Sequence, residues 1–286
     1  MKSVLITGAS TGIGRACAEH LAQRGWRVFG SVRKPADAQA LEAALGPSGK
    51  AVLFDVGDAD AVRRGAADVA EALGGAVLDG LVNNAGVALP GPLLDQPIDE
   101  IERVIDINFT GTVRAIQAFA PLMGPARARG SGNSLARGRI VNITSVSGEF
   151  GYPFTAAYVA SKHAVEGLSK SLRRELLADG IDVIVVGPGA VRTPIWDKGA
   201  SNGMDRYAGT RWERPLAALA TSLKAMDAEG LDPHVVAATV ATALESRNPR
   251  PRYAPVPNPL VNRWLPRILP VRMIDRIIGQ RLGLLD

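Results

Sequence analysis

Tyr158 and Lys162 stand four residues apart in the stretch AAYVASKHAV. If that stretch is helical, residues i and i+4 stack on one face and the ammonium lies beside the phenol. Free tyrosine titrates near ~10 and is a poor base at neutral pH, so a neighbouring cation that favours phenolate would prepare it for proton transfer. An isolated Y-x3-K pair is most simply a partly buried tyrosine with a lysine reaching solvent, and the surrounding residues decide between the two.

A second group with chemical meaning is TGASTGIGR, in which Gly8, Gly12 and Gly14 follow a G-x3-G-x-G spacing rather than G-x-G-x-x-G. Glycines there permit a tight turn and close backbone approach, and a helix N-terminus presents free N–H groups to a pyrophosphate.

The elements that must position these residues are legible as an alternation. SVLIT is followed by a helical pattern over 13–24, RVFGSV by 35–45, AVLFD by 59–73 and GLVNN by 98–122; RIVNIT then precedes 155–178, IDVIVV precedes an irregular stretch, and 234–246 precedes RYAPV. Strands alternating with helices at this rhythm predict an α/β fold: a doubly wound (Rossmann) parallel sheet of about seven strands with helices on both faces, in a single domain.

Two interruptions stand out. The Gly-, Ser- and Arg-rich stretch 124–138 is expected to be an exposed, mobile loop. Residues 193–232 carry Ile195, Trp196, Met204, Tyr207, Trp212, Leu216 and Leu219, and read either as a lid over a greasy pocket or as a packed pair of surface helices. The domain is expected over residues 1–256, with that lid inside it. Residues 257–286 form a basic amphipathic tail in which Trp264, Leu265, Ile268, Leu269, Met273, Ile274, Ile277 and Ile278 alternate with arginines. The tail could pack on the lid, meet a partner subunit or touch a membrane surface.

Bulk composition excludes several classes. With 286 residues, 47% hydrophobic and 21% charged, the chain is of ordinary globular composition. Its one cysteine, Cys17, rules out an internal disulfide framework and agrees with a reducing, cytoplasmic setting; on the helix after the glycines it reads as a small core residue. The three histidines, His20, His163 and His234, lack metal-ligand spacing, and no metal site is expected. No apolar run is long enough to span a bilayer. The net charge of +5 resides in the C-terminal stretch from Arg247 onward, where eight arginines face Asp275 and Asp286, so nucleic-acid binding is not expected.

Taken together, the motifs give the chain a resemblance to the short-chain dehydrogenase/reductase family over about residues 2–234. The matching elements are TGASTGIG, Asp55 after the third strand, NNAG at 83–86, Asn108 in INFTG, Ser145 in NITSVSG, YVASK at 158–162 and PGAVRT at 188–193; Ser145 precedes Tyr158 by thirteen residues. The resemblance implies that Tyr158 is the acid/base, that Lys162 lowers its pKa and holds the nicotinamide ribose, that Ser145 orients the substrate oxygen, and that Asn108 holds a water linking Lys162 to solvent. Read singly, Ser145 could be a turn hydroxyl and Asn108 could relieve a helix kink. The resemblance further implies a nucleotide site lined by Gly8, Ser10, Thr11, Gly12, Ile13 and Gly14, with Asp55 and Val56 flanking the adenine. Asn84, Ala85 and Gly86 would lie on the adenosine ribose side, and Val191 and Thr193 would meet the carboxamide.

Cofactor choice turns on the end of the second strand, RVFGSVRKP. NAD-preferring relatives place an acid near Val32, whereas here Val32 is followed by Arg33 and Lys34; Arg33 can clamp a 2′-phosphate, which predicts NADP (NADPH) rather than NAD. Asp37 is expected to cap a helix or face solvent; turned inward, it would favour NAD.

The function implied is reversible hydride transfer between NADP(H) and an alcohol, ketone or aldehyde carbon, with a lipophilic substrate suggested by the apolar lid and tail. A homodimer or homotetramer, pairing through the helices that carry Asn108 and Tyr158, is the assembly the resemblance implies. Two alternatives belong to other classes. An isomerase or dehydratase of the same superfamily is opposed by the glycine spacing and NNAG. A non-catalytic NADP-binding sensor has no need of Asn108, Ser145, Tyr158 and Lys162 together.

Overall fold

The computed structural model describes residues 1–124, 138–196, 204–259 and 265–285. The expected loop at 125–137, the lid segment 197–203 and Trp264 lie outside them. Seven strands, β1 (Ser3–Ile6), β2 (Arg27–Val32), β3 (Gly49–Leu53), β4 (Gly80–Asn83), β5 (Gly138–Ile143), β6 (Ile181–Val186) and β7 (Arg252–Tyr253), form one sheet in the order β3-β2-β1-β4-β5-β6-β7. Every pairing is parallel. The doubly wound fold expected from the alternation is the observed one.

Side-chain parity explains why both faces need helices. In β1, Val4 and Ile6 face one core and Leu5 the other; in β6, Ile184 and Val186 oppose Ile181 and Val183. One core is closed by α1 (Gly12–Gln23), α2 (Pro35–Leu45) and α8 (Pro233–Glu245), the other chiefly by α3 (Ala59–Leu73), α5 (Gly111–Phe119) and α6 (Ala156–Glu175). Strands buried on both faces carry continuous apolar runs, as a parallel sheet requires.

Helix boundaries follow local chemistry. Asp58 caps α3 by accepting from the N–H groups of Asp60 and Ala61, and Asp232 caps α8 by accepting from that of His234. Thr11, at the head of α1, makes no side-chain cap bond, so the first N–H groups of that helix remain available to a ligand.

One expectation is corrected. The single helix read over 98–122 is α4 (Ile98–Ile105), a π-helical turn (Asp106–Thr110), α5 and a closing 3-10 turn. The cause is Asn108, whose amide is held by the Val87 backbone rather than facing outward along a regular helix. Within 193–232, read as a lid or a packed pair of helices, the structure has a 3-10 turn at Met204–Tyr207 and the helix α7 (Glu213–Ala228). The tail contributes a short turn, α9 (Leu265–Ile268), and α10 (Val271–Arg281).

Candidate active site

The chain reverses its winding between β1 and β4, and an open α/β sheet leaves a crevice at the carboxyl ends of its strands at such a point. A cleft of about 270 Å³ lies there. It is lined by the turn after β1 (Gly8, Ser10, Thr11, Gly12 and Ile13), by Arg33 after β2, by Asp55 and Val56 after β3, and by Asn84, Ala85 and Gly86 after β4, with Thr193 opposite. Segments distant in sequence thus converge on one groove.

The glycines have steric reasons. A methyl on Gly14 would stand 2.3 Å from the Gly8 carbonyl oxygen and 2.4 Å from the Asn84 side-chain nitrogen. Gly14 therefore lies beneath the turn, outside the cleft lining, and lets α1 pack close. Gly8 and Gly12 adopt φ of +69° and +58°, and Gly12 faces Thr193. Asn84 ties the two loops by donating to the carbonyls of Thr7 and Gly8 at 3.0 and 3.1 Å.

Thr7, to which the sequence reading assigned no role, accepts from the N–H groups of Asn84 and Ala85 at 2.9 and 3.0 Å. Ser31 accepts from the Gly8 N–H at 2.9 Å. A glycine cradle that a Cβ would fill, above an uncapped helix N-terminus, fits a dinucleotide pyrophosphate.

Around the cofactor-discriminating position, Arg33 is more than half exposed and its guanidinium stands 3.5 Å from the Asp55 carboxylate. It is thus free to turn toward an anion in the cleft. Asp37 sits in the first turn of α2 and does not line the cleft. Val191 also lies outside the lining: it packs in the core and forms an isolated bridge with Leu231.

The remaining candidates meet just beyond this groove. Tyr158 and Lys162 both lie on α6 and both are buried, and the Lys162 Nζ is 5.6 Å from the Tyr158 ring centre. Nζ donates to the Ile143 carbonyl at 3.0 Å, at the end of β5. The next turn carries Ser145, whose hydroxyl accepts from the Ser147 N–H at 3.1 Å and is hydrogen-bonded to the Tyr158 phenol. Asn108 accepts from the Val87 N–H at 2.8 Å and donates to the Val87 carbonyl at 2.9 Å and to Ser161 Oγ at 3.0 Å. Its side-chain amide clamps the loop after β4 against α6, and its backbone carbonyl accepts from the Thr112 hydroxyl at 2.8 Å.

The electrostatics differ from the expectation that Lys162 acidifies Tyr158. Burial pushes the Tyr158 phenol up to about 12, partly offset by the hydrogen bond from Ser145, and burial pulls the Lys162 ammonium down to about 8. Burial disfavours each charged form and is the largest influence on both groups.

Several further neighbours escaped the sequence reading. Glu166, two turns beyond Tyr158 on α6, is buried; it accepts from the Thr144 hydroxyl at 2.8 Å and from Arg252 Nε at 3.1 Å. Arg252 also pairs with Glu149 at 3.2 Å, so the turn bearing Ser145 is tied to α6 on both sides. The spacing Tyr158, Lys162, Glu166 at i, i+4, i+8 was the available signal. Over the phenol lies Trp196, ring centres 5.4 Å apart and edge-on, with Ile195 and Leu89 beside it. Trp196 also joins a second cluster formed by Phe154, Tyr207, Leu216, Leu219 and Leu282.

Residues 2–203 match the family model described as short chain dehydrogenase. An NADPH-dependent 3-dehydrocapnine reductase of Ornithobacterium rhinotracheale is 33% identical over 282 residues, spanning 99% of this chain and 98% of the relative. Human retinol dehydrogenase 5 is 33% identical over 96% of this chain and 87% of its own length. A variant of actinorhodin polyketide ketoreductase, solved with NADPH, superimposes with a TM-score of 0.73 at 28% identity, covering 92% of this chain and 97% of that one.

Proposed function

The chain belongs to the short-chain dehydrogenase family, and from that premise we propose that it is an NADP(H)-dependent oxidoreductase acting on a lipophilic ketone, aldehyde or secondary alcohol. The observation that carries the reading is the approach of Ser145, Tyr158 and Lys162 to one another at the edge of a glycine-lined cleft.

NADPH, when bound, supplies the hydride to the carbonyl carbon. Gly8, Gly12 and the N–H groups of α1 would hold its pyrophosphate, and Arg33 its 2′-phosphate. Tyr158 holds the proton that passes to the carbonyl oxygen, and its raised pKa keeps it protonated at neutral pH, the form a reductase needs. Ser145 orients the oxygen and stabilises the charge developing there. Lys162, already drawn down to about 8 by burial, can return a proton toward Tyr158 at neutral pH without a large energetic penalty. Trp196 and Ile195 exclude water from the phenol and favour an apolar substrate. NADP dependence is supported by the NADPH-dependent reductase relative and by the NADPH-bound structural neighbour. In domain terms, residues 1–256 would be the catalytic unit, with a lid at about 193–232, and 257–286 its appended tail.

A screen of lipophilic ketones and secondary alcohols, following nicotinamide absorbance with NADPH and NADH separately, tests the reading. Turnover that prefers NADPH is expected. Cofactor binding without turnover on any carbonyl would favour a sensor instead.

A further inference from the structure

Seven of the fifteen large hydrophobic side chains exposed among the described residues fall within residues 265–285. Within α10 the helical period accounts for Met273 and Ile277. Ile278 and Leu282, four residues apart, turn inward onto the cluster of Tyr207, Leu216 and Leu219. Met273 and Ile277, also four apart, point the other way and are 43% and 51% exposed. Just before them, Ile268 and Val271 are 76% and 72% exposed. Arg272, Arg276 and Arg281 stand exposed around this strip, and among the described residues none of the three forms an ion pair. Asp275 is the single acid of the helix.

We propose that α10, with the turn that precedes it, docks the protein on an anionic lipid surface. Apolar side chains bordered by arginines match the boundary between headgroups and acyl chains, where the guanidinium groups meet phosphate and the stems and apolar neighbours sink below it. A second copy of the chain fits worse, because a two-fold contact would bring three arginines against the same three. No described helix is long and apolar enough to cross a membrane. One consequence rests on the catalytic reading above. The inner face of α10 lies on the cluster that reaches Tyr158 through Trp196, so docking holds the apolar cover of the site next to a reservoir of lipophilic carbonyl compounds.

The test is co-sedimentation of the full, nucleotide-free chain with phosphatidylcholine vesicles, with and without about one third phosphatidylglycerol. Association with the anionic vesicles is expected, at least about tenfold weaker on pure phosphatidylcholine and weakened between about 0.1 and 0.5 M salt. The double variant Arg272→Gln/Arg276→Gln should reduce it about thirtyfold, from about 1 kcal/mol per charge near such a surface. Met273→Gln/Ile277→Gln should reduce it as well. Both variants should keep the parent's thermal midpoint and NADPH affinity, because the altered side chains are exposed. Equal binding to both vesicle types, or none at low salt, overturns the proposal. So does a dimer by light scattering that Met273→Gln/Ile277→Gln dissociates while vesicles remain unbound. The readout involves no turnover: vesicle binding with no carbonyl reduction would count against the catalytic reading and leave the docking supported.

Discussion

At Tyr158 and Lys162, the same burial acts on two groups with opposite effect on stability. For Lys162 the folded-state value of about 8 lies below the ordinary 10.5, so between those values the unfolded chain binds more protons and stability rises with pH. Below about 8 both states are charged and the full cost of the buried ammonium is present. Lys162→Met should therefore stabilise the nucleotide-free protein at pH 7 by up to roughly 3 kcal/mol. That advantage should shrink between about pH 8 and 10. Urea unfolding at several pH values measures it, and a pH-independent difference would refute the assignment. Tyr158 works the other way, its raised value weakening the fold only above about pH 10. For Arg33, the expectation is that Arg33→Ala loses ten- to a hundredfold in NADPH affinity, as removal of charge-assisted hydrogen bonds implies, while NADH affinity stays within about twofold. Isothermal titration with both nucleotides decides; equal losses would assign the arginine another role. These residues were readable in the chain because their types are the chemistry. The direction of the Tyr158 shift was not, because it depends on desolvation, which only packing determines.

Among the elements, the junction of β1, α1 and β4 admits a sharper test. Ala at position 14 would put a methyl 2.3 Å from the Gly8 carbonyl, backbone that cannot swing aside. Gly14→Ala should lower the thermal midpoint by several degrees and abolish nucleotide binding; a variant that binds NADPH normally would mean that α1 can retreat without disturbing the cradle. A second element-level expectation concerns the tie between α6 and the Ser145 turn. Glu166→Ala leaves Arg252 facing only Glu149 and should cost about 3 kcal/mol in urea unfolding, as loss of one partner in a largely buried pair does. Helix and strand positions were legible from the alternation of periods, and 35–45 and 59–73 coincide with α2 and α3. The π-helical turn at Asp106–Thr110 was not, since its cause is a pair of hydrogen bonds to Val87, twenty-one residues away. Thr7 and Glu166 were missed for the same reason: their partners are close in space and remote along the chain.

Considered as a whole molecule, the chain joins two cores across one sheet and then continues past it, with Leu282 fully buried against α7 and Phe154. Leu282→Ala should cost about 2–5 kcal/mol in a single cooperative transition if the tail is integral to the folded unit; a small, separate low-temperature transition would make it an appendage. The doubly wound parallel sheet followed from strand and helix alternation, whereas its strand order did not; for the tail the sequence left three surfaces open, because an amphipathic helix does not by itself choose among them, and α10 packs on Tyr207, Leu216 and Leu219 of the segment 193–232. The central claim is that one buried phenol beside a dinucleotide cleft moves the proton while hydride is transferred. Its most direct test is single-turnover oxidation of bound NADPH by a carbonyl substrate in Tyr158→Phe, alongside NADPH affinity by fluorescence. The account predicts a rate at least a hundredfold lower with affinity within about twofold of the parent. An unchanged rate at equal affinity would contradict it.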